Sequence, residues 1–342
     1  MERIGGETMV LYADLRERLE VFEAMRNIAH LRGEFTRKTV KGNVYHYFQA
    51  TLPTGRTQFY LGPDSEDIRR LVEMRKAGSE GVQADQVMLQ RLSSQIMTGG
   101  ALAVQPDMAK VISRLADSGV FRAGGVLVGT VAFAIIGTHL GVTWGSDAGM
   151  TRDVDIAADI GVSLAVPEGT ASVSDTLESL EMGFFPVPRL SHKEPSTSFA
   201  IRGKTLRVDL LTPMRKAGAT PVLIRRLNAA ATPLRFLDYL LEETIDAAMI
   251  AGTPCLVRVP QPARYALHKL IISQERDATA ADKRRKDLKQ ARALLSLLSE
   301  DRPGDIALAW DALAARGAGW VKKLRAGAAS ARIDLADYVR ME

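Results

Sequence analysis

Residues 152–156 read Arg152-Asp153-Val154-Asp155-Ile156. Acid and apolar residues alternate, which is the period of a β-strand. Asp153 and Asp155 therefore point to one face, about 7 Å apart along the chain. Two carboxylates on one face of a largely apolar strand are costly unless something neutralises them. A pair of divalent ions roughly 4 Å apart would do so and would also clamp a phosphoryl group. The plainer reading is a strand end whose acids face water. What surrounds this strand decides between the two.

Upstream lies Gly-Val-Leu-Val-Gly-Thr, ending at Gly129-Thr130. It reads as a buried strand that runs through a glycine into a helix, Thr130 to Leu140. The first turn of such a helix presents free backbone N–H groups, and Thr130 is placed to cap it, so the pair forms a phosphate cradle. Many strand-to-helix turns use glycine for conformation alone. Downstream lies Leu206-Arg207-Val208-Asp209-Leu210-Leu211, an apolar strand with one acid at its centre. Either Arg207, on the same face, pairs with Asp209, or Asp209 is a third metal ligand from a neighbouring strand. The three elements together are far more specific than any one of them.

In combination they resemble the DNA polymerase beta-like nucleotidyltransferase superfamily. Its signature is a glycine-terminated strand into a helix, then Asp-hydrophobic-Asp, then a third Asp on a later strand. The forms here are Leu-Val-Gly-Thr, Thr-Arg-Asp-Val-Asp-Ile and Arg-Val-Asp-Leu-Leu-Thr-Pro. The chain also resembles an uncharacterised bacterial group with this fold, sharing the segment Tyr60 to Asp64. Val259-Pro260, Tyr265 to Leu270 and Arg285 to Leu288 resemble the helical segment of abortive-infection-type nucleotidyltransferase toxins.

The resemblance implies a metal-dependent enzyme of the EC 2.7.7 type. It would move a nucleotidyl group from a nucleoside triphosphate, ATP or another, to an acceptor hydroxyl, releasing pyrophosphate. Asp153, Asp155 and Asp209 would be catalytic and hold Mg2+ or Mn2+. Gly129, Thr130, Lys269 and Asp287 would bind the nucleotide. The acceptor would be RNA (tRNA among them), a protein or a small molecule, and a toxin–antitoxin role rests on family analogy alone. The alternative is a catalytically inactive nucleotide- or RNA-binding module of the same fold. Ordinary readings also stand for Lys269, a surface lysine, and for Asp287, paired with Lys283 one turn earlier.

Two departures from the pattern matter. Thr130 fills a place usually held by Gly or Ser. The gap from Gly129 to Asp153 is long, which implies an inserted loop, Gly141 to Thr151 with Trp144 and Asp147, as a substrate lid. Gly203-Lys204-Thr205 mimics the end of a P-loop, but Ser198 stands where the first glycine is required and a strand follows. His192-Lys193 reads as an exposed loop near the core strands.

The rest of the 342 residues frames these elements. Leu11 to Leu31 reads as a helix. Val44 to Leu61 reads as a hairpin about Pro53-Thr54-Gly55, with aromatic residues that pack a small sheet. Asp64 or Ser65 caps a helix to about Lys76, and another runs from Val82 to Met97. Helices at Pro106–Ala116 and Ser172–Glu181, a strand at Val120–Val128, and hairpins at Ser198–Leu211 and Thr244–Val259 follow. Beyond Pro262 the chain is helical. The fold class is α/β (α+β): a nucleotidyltransferase-fold mixed sheet core at 104–260, a helix-plus-hairpin region at 1–103 and a helical region at 261–342.

Composition narrows the chemistry. A single cysteine excludes an intrachain disulfide and a thiolate zinc site, and the five histidines lack ligand spacing. Metal chemistry would use carboxylates, hence magnesium or manganese. The +5 net charge and the run Lys283-Arg284-Arg285-Lys286 fit a phosphate-rich partner and a solvated helix face equally well. With no apolar run long enough for a membrane span and no signal pattern, the expectation is a cytoplasmic protein without a membrane partner.

Overall fold

A computed structural model describes residues 1–24, 33–40, 42–52, 55–145, 152–159, 171–189, 194–216, 218 and 220–338. The N-terminal part holds strand β1 (Glu2–Arg3), helix α1 (Gly6–Ala24), strands β2 (Gly33–Val40), β3 (Asn43–Leu52) and β4 (Gly55–Pro63), and helix α2 (Glu66–Thr98). Helix α1 buries Thr8, Tyr12, Leu15 and Leu19, a stripe of one side chain per turn. It starts five residues before the expected Leu11, and Val21 of the expected apolar side is exposed. The expected continuation to Leu31 lies outside the described residues, as does the turn at Pro53-Thr54.

The aromatic hairpin is real, but β2 precedes it and makes a three-stranded antiparallel sheet. β2 reads Gly-Glu-Phe-Thr-Arg-Lys-Thr-Val, too polar to show an apolar period. Phe35, Phe48, Tyr45, Tyr47 and Tyr60 pack among themselves, as the packing reading holds. The two helices expected after it are one. Ser65 caps α2, its Oγ accepting from the Ile68 N–H at 3.3 Å, and no proline interrupts the 33 residues that follow. Gly78 and Gly81 weaken a helix by about 1 kcal/mol each without ending it.

The central part holds helix α3 (Pro106–Asp117), strand β5 (Val126–Val128), helix α4 (Gly129–His139), strands β6 (Val142–Thr143) and β7 (Asp153–Ala157), helix α5 (Val173–Glu178), and strands β8 (Phe184–Pro186), β9 (Ser198–Ile201), β10 (Arg207–Pro213), β11 (Val222–Ile224) and β12 (Ala229–Leu234). Helix α6 (Leu237–Leu241) and the antiparallel pair β13 (Thr244–Met249) and β14 (Cys255–Pro260) complete it. The strand expected over Val120–Val128 is only its last three residues. Before them Ala123 N–H bonds to Gly119 and Gly125 N–H to Val120, so the chain turns back on itself.

The seven-stranded mixed sheet runs β11-β12-β10-β7-β5, with β9 attached to β10 and β8 to β9. One edge of β10 pairs with β7, in parallel. The other is shared: Arg207 to Asp209 face β9, and Leu211 to Pro213 face β12. Asp209 sits where β10 changes partner.

The C-terminal part is helical, as expected: α7 (Pro262–Ser273), α8 (Ala281–Asp301), α9 (Pro303–Ala314) and α10 (Ala318–Ser330). Pro262 opens α7 and Gln261 caps it, accepting from the Arg264 N–H at 2.8 Å. Nearly every residue of α7 is buried, and its Leu267, Leu270 and Ile271 each contribute roughly 1.5–3 kcal/mol by burial. One core runs from Met108 to Leu335, across sheet and C-terminal helices. A second joins α1 and α2 to Ala248 and Ile250. No helix among the described residues is long and apolar enough to cross a membrane.

Candidate active site

Strand register assembles the site. In the parallel pair β7–β10, Asp153 lies opposite Arg207 and Asp155 opposite Asp209. On the other side of β7, Asp155 lies opposite Val128, the last residue of β5. The long gap after Gly129 has therefore not displaced the strand. The two acidic strands and the glycine turn meet at one end of the sheet.

Gly129 has a φ of +70°, and a Cβ there would collide with Oδ2 of Asp155. The turn lets the Asp155 carboxylate lie against the main chain, and a side chain at 129 would be strained and would push the carboxylate away. Helix α4 starts at Gly129. Thr130 does not cap it. The capping position falls on Val128, which has no side-chain acceptor, and Thr130 is already inside the first turn.

Three carboxylates crowd this end. Burial, then the charges of Asp209 and Asp153, push the Asp155 carboxyl up to about 7 from its ordinary 3.8, against an opposing pull from Lys269 and Lys283. Asp209 is better supplied. Its Oδ1 accepts from Ser198 Oγ, the residue opposite it on β9, and Ser198 Oγ accepts from Arg207 Nε at 2.6 Å. Arg207 Nε also lies 3.3 Å from Asp209 Oδ1. The expected pairing of Arg207 with Asp209 is thus present, and Ser198 bridges the two.

Lys269 and Asp287 face the same cleft, from α7 and α8. Lys269 is no surface lysine: it is 7% exposed, and Asp287 is 3% exposed. Nζ of Lys269 donates to Asp287 Oδ1 at 2.7 Å, and Arg276 Nε donates to Oδ2 at 3.1 Å. Asp287 therefore pairs with these two, and Lys283 forms no ion pair with it. Burial pulls the Lys269 ammonium down, but Tyr265 and Asp287 more than offset this, and it stays above its ordinary value. Tyr265 fixes the geometry, its hydroxyl donating to the Gly129 carbonyl at 2.9 Å and its ring lying 5.1 Å from Lys269 Nζ.

The cleft has a volume of about 510 Å³ and brings all seven residues expected from the sequence to one place. A match to a family model described as nucleotidyltransferase covers residues 106–315, more than half the chain and the whole of this cleft. The chain belongs to the nucleotidyltransferase family. No curated protein and no solved structure matches it. General nucleotidyl transfer is the chemistry this membership supports.

The nucleotidyltransferase cleft also contains residues to which sequence reading assigns no role in the site, Ser198, Tyr265, His268 and Arg276, together with Lys283 and Lys286 of the basic run. Ser198 was accessible in principle, because a tight turn at Arg202-Gly203-Lys204 sets it opposite Asp209. His268 is buried, its Nε2 has no partner among the described residues, and burial followed by Lys269 lowers it to about 3. Trp144 belongs to the core and not to a lid. It stacks on Phe133 at 4.5 Å, donates Nε1–H to the Phe133 carbonyl at 2.8 Å, and leaves no room for a side chain at Gly137. Residues 146–151 of that loop, Asp147 among them, lie outside the described residues, as do His192 and Lys193.

Carboxylate oxygens are the donors that hard divalent cations take, so Asp153, Asp155 and Asp209 fit magnesium or manganese in chemical type. The unrelieved crowding on Asp155 fits as well, because a cation would supply the missing counter-charge. Among the described residues, no three acidic, histidine or cysteine groups are already drawn together as a metal cage.

Proposed function

We propose that this cleft transfers a nucleotidyl group from a nucleoside triphosphate to an acceptor hydroxyl. One observation carries the reading: Asp155 and Asp209 lie opposite each other on β7 and β10, against a glycine in left-handed backbone where a side chain would meet Asp155. Gly129 and Thr130 receive the phosphates at the start of α4. Lys269, braced by Asp287, forms the cationic floor. Asp153, Asp155 and Asp209 would hold Mg2+ or Mn2+, which when bound supplies positive charge to the phosphates and to the attacking oxygen.

The acceptor hydroxyl attacks the α-phosphorus, and its proton passes to Asp209. The bond from the α-phosphorus to the bridging oxygen breaks, and pyrophosphate leaves. The acceptor is RNA, a protein side chain or a small molecule. Incubation with α-labelled nucleoside triphosphates, Mg2+ and cell extract tests the proposal. Wild type should label an acceptor, and Asp153→Ala and Asp155→Ala should not. Equal behaviour of all three contradicts catalysis.

The Arg207–Asp209 contact favours a second reading, a nucleotide- or RNA-binding module without turnover. In that case Arg207 permanently replaces the cation. Titration with Mg2+ or Mn2+ separates the two: an effect on nucleotide affinity supports the enzyme, and no effect supports the binding module.

A further inference from the structure

The sheet carries the cleft beyond its acids. Side chains two apart on a strand share a face, so Leu211 follows Asp209 on the cleft side of β10. Thr232 of β12 lies opposite Leu211, and Leu234 lies opposite Pro213, on that same side. Leu237 and Leu240 of α6 and Ile272 of α7 close this wing. Leu237 and Leu240 are buried, Leu211, Thr232 and Ile272 are half-buried, and Leu234 is exposed. Among the described residues, β12 and α6 bring no charged side chain to the cleft. Lys269 and Arg276 are turned to Asp287 on α8.

One polar ring adjoins the apolar wing. His268 lines the cleft from α7, it is buried, and its Nε2 has no partner among the described residues. Its low pKa keeps the ring neutral, so it offers a hydrogen bond without a charge. An occupant of the cleft with a hydrogen-bonding group would complete it. The wing thus suits an uncharged, largely apolar body with a polar group.

Its place fits one end of the reaction. The strand order β12-β10-β7-β5 sets the wing on the far side of Asp209 from Gly129. With the phosphates received at Gly129, pyrophosphate departs toward β5. In-line displacement requires the attacking oxygen on the opposite side of the α-phosphorus. That oxygen therefore arrives from β12, past Asp209.

We infer that the apolar wing is the acceptor subsite, and that the acceptor hydroxyl is carried on an uncharged apolar or aromatic body and not on a nucleic-acid strand. The inference rests on the nucleotidyl-transfer reading above and names its acceptor. A phosphate backbone needs cations along its path, and β12 and α6 supply none to the cleft. The hydroxyl proton passes to Asp209 and the oxygen bonds to the α-phosphorus. The bond to the bridging oxygen breaks, and pyrophosphate leaves with its electron pair. The product is a nucleotidyl ester of the apolar hydroxyl compound. A tyrosine side chain and a free small molecule both provide such a hydroxyl.

The test incubates the full chain with α-labelled nucleoside triphosphates and Mg2+. Separate reactions contain N-acetyltyrosinamide, 2-phenylethanol, glycerol, a single-stranded RNA with a free 3′-hydroxyl, or cell extract. The aromatic probes should be labelled about tenfold faster than glycerol or more, the scale of burying an apolar group. The RNA should stay unlabelled. Faster labelling of N-acetyltyrosinamide points to a protein side chain as the source, and faster labelling of 2-phenylethanol to a small molecule. Leu234→Gln and Ile272→Gln, checked for folding by melting curves, should each raise KM for the better aromatic probe by about five- to tenfold. KM for the triphosphate should stay within about twofold. Leu308→Gln, at an exposed leucine of α9, should match wild type. Faster labelling of glycerol or RNA than of the aromatic probes overturns the inference, as does labelling of extract with neither aromatic probe labelled. An unchanged acceptor KM in both variants also overturns it. Equal rises in KM for triphosphate and acceptor do the same, because the wing then holds the nucleobase. If wild type labels nothing in any reaction, extract included, the transfer reading itself fails.

Discussion

Two groups of acids line one cleft and have opposite surroundings. Asp287 is almost completely buried, and two cations hold one oxygen each. Asp155 lies among Asp209 and Asp153, and its carboxyl is pushed up to about 7. A buried charge whose partners come from the fold acts as structure, because breaking such a pair costs several kcal/mol. A charge the fold leaves short of partners is stabilised by something else, a proton or a bound cation. The contrast divides the acidic residues of one cavity into a brace and a reacting group.

The largest effects should separate these roles completely. Asp155→Ala should reduce nucleotidyl transfer about a thousandfold or more, the scale expected when a group acting on transition-state charge is lost. Its melting temperature in chelator should not fall. Asp287→Ala should show its loss first in stability, in chelator as well as with ligand. Removing one partner from a buried pair destabilises by about 3–5 kcal/mol, which melting curves will show as a loss of several degrees or more. The double variant Lys269→Met/Asp287→Leu should lose less than Asp287→Ala alone, because no buried charge remains orphaned at Lys269. If Asp155→Ala melts as early as Asp287→Ala, the distinction is void.

A pH series sharpens the comparison. Folded Asp155 holds its proton up to about pH 7, and the unfolded chain releases it near 3.8. Its contribution to stability therefore falls as pH rises between those values, by about 1.4 kcal/mol per unit at most. In chelator, Asp155→Asn should flatten this part of the stability profile and melt higher than wild type at pH 8. An unchanged profile would show that the carboxyl is not perturbed.

Smaller effects should come from the supports of the acidic half. Gly129→Ala forces a side chain into left-handed backbone and against Asp155, at a cost of roughly 1–3 kcal/mol in a denaturation curve. Ser198→Ala removes the hydroxyl that links Arg207 to Asp209. It should cost about 1 kcal/mol in the same measurement, and it should tighten Mn2+ binding if Arg207 then relaxes away from Asp209. Weaker Mn2+ binding would mean that Ser198 positions Asp209 for the metal.

The acidic half was legible because its code is local. Alternation over five residues placed Asp153 and Asp155 on one face, and an apolar strand isolated Asp209. The glycine turn before α4 needed only three apolar residues and a break. What surrounds them was less legible for stated physical reasons. β12 reads Ala-Ala-Ala-Thr-Pro-Leu, with weak strand preference and a proline, and is a strand because β10 and β11 pair with it. α6 is five residues long, too short for a period. The partners of Asp287 come from Lys269, 18 positions upstream on another helix, and from Arg276, 11 positions upstream before α8 begins. Sequence neighbourhood favoured Lys283 instead. Trp144 looked like a lid residue because its stacking partner Phe133 is on the preceding helix and only the fold brings them together.

The most direct test follows thermal unfolding during Mn2+ titration at pH 8 with a non-hydrolysable nucleoside triphosphate, comparing wild type and Asp155→Asn. The expected result is a wild-type melting temperature that rises with Mn2+ and nucleotide together, and an Asp155→Asn protein that starts higher and gains little. A wild type indifferent to both, or an Asp155→Asn protein that gains as much, would contradict the view that Asp155 and Asp209 await a cation.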